Sequence, residues 1–349
     1  MVFAFYSGVV NSGHCLHPNP SPILPVYNDH PPATEDPMSA ELPQDLHSAA
    51  YFGDQREFWW NPDFVALCLQ RVGLSGPLRL LDAGCGVGHW GRVLLPHLPL
   101  AHLTGVDREP RWVQEAAERA RAQGLSGQTH YQTGDVHALP FADASFDAVT
   151  CQTVLIHVAD VGLVLSEFVR VLRPGGVLLV AEPNNLAGTQ SVGSVRHDEP
   201  IERRLALLRL HMAIERGKIA LGEGDNSVAD RLPGLFAQAG LSQIRAWIAD
   251  RPPLVVPPYS SADQQAFIRE FVEQFDRGWW GWSREDTERY YLASGQNPAA
   301  FGELWQIARE AMAQDAAAMK AGQFSAAWGG LQYVFAAVKP GGAQGLGAG

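Results

Sequence analysis

Basic residues are missing from the start of this chain, where none precedes Arg56. The opening MVFAFYSGVV is apolar but lacks the charged flank of a secretory leader, so no export signal is predicted. Long apolar runs are missing too, and nothing approaches the roughly 20 residues of a membrane-spanning helix. Cysteine is limited to Cys15, Cys68, Cys85 and Cys151, without paired metal-ligand spacing. Reduced, packed thiols are therefore expected, with neither a disulfide framework nor a zinc centre, and a cytoplasmic setting follows. With 26 Lys and Arg against 37 Asp and Glu, the formal net charge is −11, and no Lys/Arg block interrupts it. That balance argues against nucleic acid or a membrane as a partner. No group of acids has the look of a magnesium site, the adjacent Asn184 and Asn185 being the nearest approach, so metal independence is expected.

What is present suits a folded chain: 349 residues, 46% hydrophobic and 18% charged. Residues 1–37 are rich in Pro, Asn, Ser and His with no regular period and read as a disordered extension, and 341–349 read as a flexible tail. Residues 38–77 read as an N-terminal helical segment. Between 78 and 340, short apolar runs (LRLLDAG, AHLTGVD, THYQTGD, FDAVTCQ, GVLLVAEP) alternate with helical stretches such as PRWVQEAAERARAQGL and VGLVLSEFVRVLRPGG. Unbroken apolar strands between helices predict an α/β fold, a parallel sheet covered on both faces. Ligands of such sheets bind beyond the carboxyl ends of the strands.

At the end of the first run, LLDAGCGVGHWGRVL places Gly84, Gly86 and Gly88 at alternate positions before a helix. Glycines there allow a tight turn and a close approach by a ligand, and the helix start offers N–H groups to a polar group. The spacing departs from the G-x-G-x-x-G of dinucleotide sites, because His89 stands where the third glycine belongs. Asp107 ends the second run about twenty residues on, where a carboxylate can accept both ribose hydroxyls. Asp135, beside the apolar Val136 and Leu139, ends the third and suits an adenine amino group.

The stretches LRLLDAGCGVGHWG, LTGVDREP, GDVHALPFADASFDAVTCQTVLIHVAD and VLRPGGVLLVAEPN resemble the class I S-adenosylmethionine-dependent methyltransferases, in the branch of the ubiquinone and menaquinone biosynthesis enzymes. SVADRLPGLFAQAGLSQIRAW and YVFAAVKP look like the family's final helix and strand pair. The resemblance implies a Rossmann-like, doubly wound, seven-stranded sheet, mostly parallel with the last strand antiparallel, carrying helical cap insertions at about 184–226 and 251–328. It implies S-adenosyl-L-methionine as cofactor. Asp82, Gly84, Cys85, Gly86, Gly88 and Gln152 would surround its methionine part, Asp107 with the adjoining Arg108 its ribose, and Asp135 and Val136 its adenine.

Methyl transfer from a sulfonium is an in-line displacement, so a base is needed only where the acceptor must lose a proton. His157 and Glu182 are candidates, the first with a packing or cofactor-wall role as its alternative and the second with a hydrogen bond to the next turn. His197 and His211 lie in the first insertion, where they could reach into the pocket but read first as surface histidines. Asp147 begins a strand and should face away from the ligand edge. Tyr51 and Arg56 are placed to close over the cofactor, and Trp59, Trp279, Trp282 and Tyr290, with His157, are candidates to line an aromatic acceptor pocket, against the alternative of plain core. The acidic chain favours a small-molecule acceptor. A catalytically silent cofactor-binding protein, and an enzyme acting on protein or RNA, remain alternatives.

Overall fold

Apolar strands need cover on both faces, and the computed structural model, which describes residues 54–341 apart from Gln190 and 328–330, supplies it. The expected extension at 1–37, Tyr51, Cys15 and nearly all of the expected tail lie outside the described residues. A 3-10 turn at Asp54–Phe58 precedes α1 (Pro62–Val72), which opens on a proline and ends on Gly73 in the left-handed conformation, the usual start and stop signals. Then come β1 (Leu78–Ala83), α2 (His89–Leu94), β2 (Ala101–Asp107), α3 (Pro110–Ala122), β3 (Thr129–Thr133), β4 (Phe146–Gln152), α4 (Val161–Val171) and β5 (Leu172–Asn184). The second half runs α5 (Asn185–Gly188), α6 (Ile201–Ala220), α7 (Leu232–Gln238), β6 (Ser242–Ile248), β7 (Leu254–Val255), α8 (Ala262–Asp276), α9 (Arg284–Ala293), α10 (Phe301–Lys320), β8 (Ala326–Ala327) and β9 (Leu331–Val338).

Seven strands form one sheet in the order β3-β2-β1-β4-β5-β9-β6, and β7 pairs with β8 separately. Only β9 runs antiparallel to its neighbours in the large sheet, between β5 and the edge strand β6. The chain winds outward from β1 to β3, then returns to place β4 on the other side of β1. That reversal at β1 and β4 is the switch point where such sheets hold ligands.

Neighbouring residues of each strand point to opposite faces, so the runs divide between two cores. Leu81, Val149, Leu178 and Val180 join Leu165, Phe168 and Phe236 under α4 and α7. Leu80, Leu103, Ala148 and Leu179 join Phe64, Trp90 and Leu94 under α1 and α2. Each fully buried Leu or Phe contributes roughly 1.5–3 kcal/mol, which makes this two-sided burial the main support of the sheet.

Two boundaries differ from the sequence reading. β3 stops at Thr133, so Asp135 lies in the loop beyond it, bridged to Ala138. The helical run VGLVLSEFVRVLRPGG ends at Val171, and Leu172–Gly176 already belong to β5, because Pro174 cannot continue a helix.

The later helices build a third core. α6 packs on α9 and α10 through Leu210, Ala213, Ile214, Tyr290, Tyr291, Phe301 and Leu304, with Trp280, Trp282 and Trp305 at its margin. Contact between α6 and α9 is close enough that a Cβ on Gly217 would lie 1.7 Å from the Tyr290 carbonyl oxygen. Cys68, Cys85 and Cys151 are buried free thiols.

Candidate functional site

The turn after β1 is shaped by glycine. Gly84, Gly86 and Gly88 have φ of 70°, 50° and 72°, a region that L side chains rarely enter. At Gly84 a Cβ would also lie 2.6 Å from Val154 Cγ2, so this turn and the one after β4 touch through glycine's missing side chain. Gly84 and Cys85 donate their N–H groups to the Val106 carbonyl, at 2.7 and 2.9 Å, which ties the turn to the end of β2. Asp107 completes the tie: its Oδ2 accepts from Gly86 N–H at 2.8 Å and its Oδ1 from Glu109 N–H at 3.0 Å. One buried carboxylate thus organises the glycine turn and the start of α3 together.

Asp82 lies under the same turn. Its Oδ2 accepts from Gly91 N–H at 3.1 Å, while its Oδ1 is buried with no hydrogen-bond partner. Burial, added to by the Asp107 charge, pushes its carboxyl up to about 7. Gln152 ends β4, buried, with Nε2 also unpartnered. Cys85 is buried below the turn, its thiol raised by burial and by both aspartates. Arg108 points outward, its side chain 62% exposed. The Asp135 carboxylate is exposed and closes its own turn, Oδ1 accepting from the backbone N–H of His137 at 2.9 Å and lying 2.8 Å from its Nδ1. Val136 packs at the margin of the core under α4.

On the far side of β4, Thr153 takes a left-handed φ of 53°. The turn behind it is held by Glu182, fully buried near the end of β5, whose Oε1 accepts from Val154 N–H at 2.7 Å and Leu155 N–H at 2.8 Å. Burial raises its carboxyl to about 7, and its Oε2 has no hydrogen-bond partner. His157 ends the same turn with an exposed side chain. Asn184 caps α5 and donates to Asp230 at 2.7 Å. Asp147 lies at the opposite end of the sheet, paired with Arg79 and Arg173.

The aromatic candidates separate. Trp59 is half-buried, with the Arg56 guanidinium 5.2 Å from its ring centre. Arg56 itself is buried, which pulls it down to about 10. Trp282 and Tyr290 meet edge to face in the helical core, and the Tyr290 hydroxyl donates to Glu223 at 2.8 Å. Trp279 is half-buried beside Arg277, and its carbonyl accepts from Arg309. His211 is half-buried, not a surface histidine, its ring centre 4.1 Å from that of Trp280 and tilted by 53°, while His197 is exposed.

Three further polar residues meet the site from α6 and the segment after it. Lys218, buried on α6, donates to the Ile156 carbonyl at 3.1 Å and to Asn226 Oδ1, and Asn226 donates to Glu215 at 3.2 Å. Burial lowers the Lys218 ammonium and raises the Glu215 carboxyl, each opposed by the other's charge. The only sequence signal was that Lys218 is one of three lysines in the chain. Glu57 is a second omission: its Oε1 lies 3.1 Å from Arg92 and 3.5 Å from His89, docking the Asp54–Phe58 turn on α2. Among the described residues no cluster of His, Cys, Asp and Glu could hold a metal ion.

The glycine turn, its acids and the sheet order coincide with one family match, which covers 81–180 and is described as a methyltransferase domain. Residues 81–180 are similar to that domain. Sterol 24-C-methyltransferase erg6 of Aspergillus fumigatus is 29% identical over 217 residues, 60% of this chain and 53% of that protein. Demethylmenaquinone methyltransferase of Thermus thermophilus is 37% identical over 123 residues, 35% of this chain and 53% of that one. Among solved structures, phosphoethanolamine N-methyltransferase 2 of Haemonchus contortus with S-adenosyl-L-methionine is similar at a TM-score of 0.41 and 19% identity, over 80% of this chain and 52% of that one. The chain thus spans about half the length of the curated relatives it matches. The match begins inside β1 and ends inside β5, so α6 and α8–α10 lie outside it.

Proposed function

We propose that the protein is an S-adenosylmethionine-dependent methyltransferase acting on a small molecule held between the strand ends and a cap made by α6 and α8–α10. The observation that carries this reading is the left-handed glycine turn fastened by Asp107 at the switch point of the sheet. Asp82, Asp107 and Glu182 are buried there, and Asp82 Oδ1, Glu182 Oε2 and Gln152 Nε2 have no hydrogen-bond partner. Buried polar atoms of this kind cost about 1–3 kcal/mol each unless a ligand satisfies them. A ligand with a ribose diol, a cationic centre and an amino-acid end suits that set, so the residues fit the cofactor.

The bound cofactor supplies an already activated methyl group on sulfur. The chain's part is to hold the ribose at Asp107 and the adenine beside Asp135 and Val136. Asp82, Cys85, Gln152 and the glycine turn enclose the methionine end, with Arg108 at the rim. On the acceptor side His157 and Glu182 are the groups within the domain able to hold or move a proton. Glu182 acts by setting the turn that ends in His157, while Trp59, Trp279, Trp282 and Tyr290 contribute apolar surface. Holding the acceptor in line and excluding water can supply several kcal/mol of the barrier reduction. The relatives named as sterol and demethylmenaquinone methyltransferases support an apolar acceptor.

Thermal shift with S-adenosylhomocysteine and with NAD tests the cofactor, since a ligand that binds only the folded state raises apparent stability. Stabilisation by the former alone is expected, and stabilisation by NAD alone overturns the reading. Incubation of labelled cofactor with a metabolite extract then tests transfer. Label in a small-molecule fraction is expected, and tight binding with no transfer favours a silent binding protein.

A further inference from the structure

The inference here goes beyond the proposed reaction and does not rest on it. Helix α6 is apolar on two faces. Leu210, Ala213 and Ile214 face α9 and α10, yet Ile201, Leu205, Met212 and Ile219 are 70%, 58%, 39% and 48% exposed. At 3.6 residues per turn, offsets of 4, 11 and 18 residues place these four within about 40° of one another. They make one outward stripe roughly 27 Å long. The inner face already supplies the packing of this helix, so the outer stripe has no role in the core. Monomers seldom leave a contiguous apolar surface of this length exposed without a partner.

The chain-wide charge of −11 spoke against a membrane, but the charge on this one face differs from it and selects the partner. Arg204 lies along one edge of the stripe and Arg209 and Arg216 along the other, all three exposed, in a chain whose net charge is −11. Glu202 is the acid exposed at the helix start. A second copy docked symmetrically would set this cationic face against its own image, which repels. An anionic bilayer complements both features, because apolar side chains enter the acyl boundary while flanking arginines reach the phosphates. We propose that the outer face of α6 is a docking surface for anionic lipid bilayers.

The other face of this helix carries Lys218, which reaches the Ile156 carbonyl at the turn beyond β4. Docking through α6 would therefore bring the strand-end site next to the bilayer, where apolar molecules are concentrated.

Vesicle flotation of the full chain tests the surface, with phosphatidylcholine vesicles and with phosphatidylcholine vesicles containing phosphatidylglycerol. Binding to the anionic vesicles is expected, weakened by salt, with little binding to the neutral ones. The double variant Leu205→Glu/Met212→Glu should lose about tenfold or more in vesicle affinity, and Arg209→Glu/Arg216→Glu should lose the preference for phosphatidylglycerol. Both change exposed side chains, and circular dichroism with S-adenosylhomocysteine binding checks that each is folded. Absence of binding to either vesicle, undiminished binding by a folded double variant, or a concentration-dependent dimer that the double variant abolishes would overturn the proposal. Because flotation needs no methyl transfer, a failure here leaves the reaction assignment standing.

Discussion

Replacing Asp107 by alanine removes two hydrogen-bond acceptors in one step. Its carboxylate is 1% exposed and receives Gly86 N–H at 2.8 Å and Glu109 N–H at 3.0 Å. Hydrogen bonds to a charged group contribute about 1.5–3 kcal/mol each, so the variant should lose about 3 kcal/mol or more of folding stability. If the same carboxylate also holds the ribose diol, cofactor affinity falls separately, by about tenfold to a hundredfold or more, at 1.4 kcal/mol per tenfold. The two losses are read by urea denaturation without ligand and by calorimetric titration of S-adenosylhomocysteine into the folded variant. Asp107→Asn keeps one acceptor but sets an NH2 against a backbone N–H, so it should fall between. A folded Asp107→Ala protein that binds S-adenosylhomocysteine within about twofold of the parent refutes the ribose assignment.

Other perturbations bear on the buried charges and the helical layer. Burial raises the Asp82 carboxyl in the folded state to about 7, well above the ordinary carboxylate range, so its stabilising contribution is complete below about pH 4 and is lost as pH rises to 7. Asp82→Asn should therefore gain stability relative to the parent between pH 5 and pH 8, by a few kcal/mol at about 1.4 kcal/mol per unit, and a pH-independent difference in urea denaturation would contradict this. Lys218→Met strands the Ile156 carbonyl and leaves Glu215 and Glu182 without their cation, so a loss of about 3–5 kcal/mol is expected at neutral pH, measured by denaturation. That loss should shrink at lower pH as the two carboxyls protonate. Gly217→Ala forces a Cβ against the Tyr290 carbonyl and should separate α6 from α9, lowering the midpoint of thermal unfolding by several degrees or more.

Features legible in the sequence are those that local chemistry fixes. An acid closing an apolar run marked Asp82 and Asp107 at strand ends, and alternate glycines marked the turn between them. Asp135 was placed at a strand end because the run THYQTGD reads as extended throughout. The strand ends two residues earlier, and the carboxylate folds back onto His137. Glu182 illustrates a different limit: its position was readable, but that its Oε1 holds the Val154 and Leu155 amides depends on β4 and β5 lying side by side. Trp282 and Tyr290 were open to pocket or core roles, with core favoured, since the sequence shows ring-rich segments without showing which helix they meet.

By itself the sequence determined the strand and helix succession, the glycine turn and the acids around it, because each follows from residue-scale preferences or from spacing along one element. Tertiary structure alone decided which distant groups meet. Lys218 reaches the Ile156 carbonyl across 62 residues of chain because α6 folds back over the strand ends. The arginines and exposed apolar side chains of α6 form one face only once a helix is wound and its other side is occupied. Burial and charge depend on what packs against a residue, and that partner is set by the fold, not by the neighbouring letters.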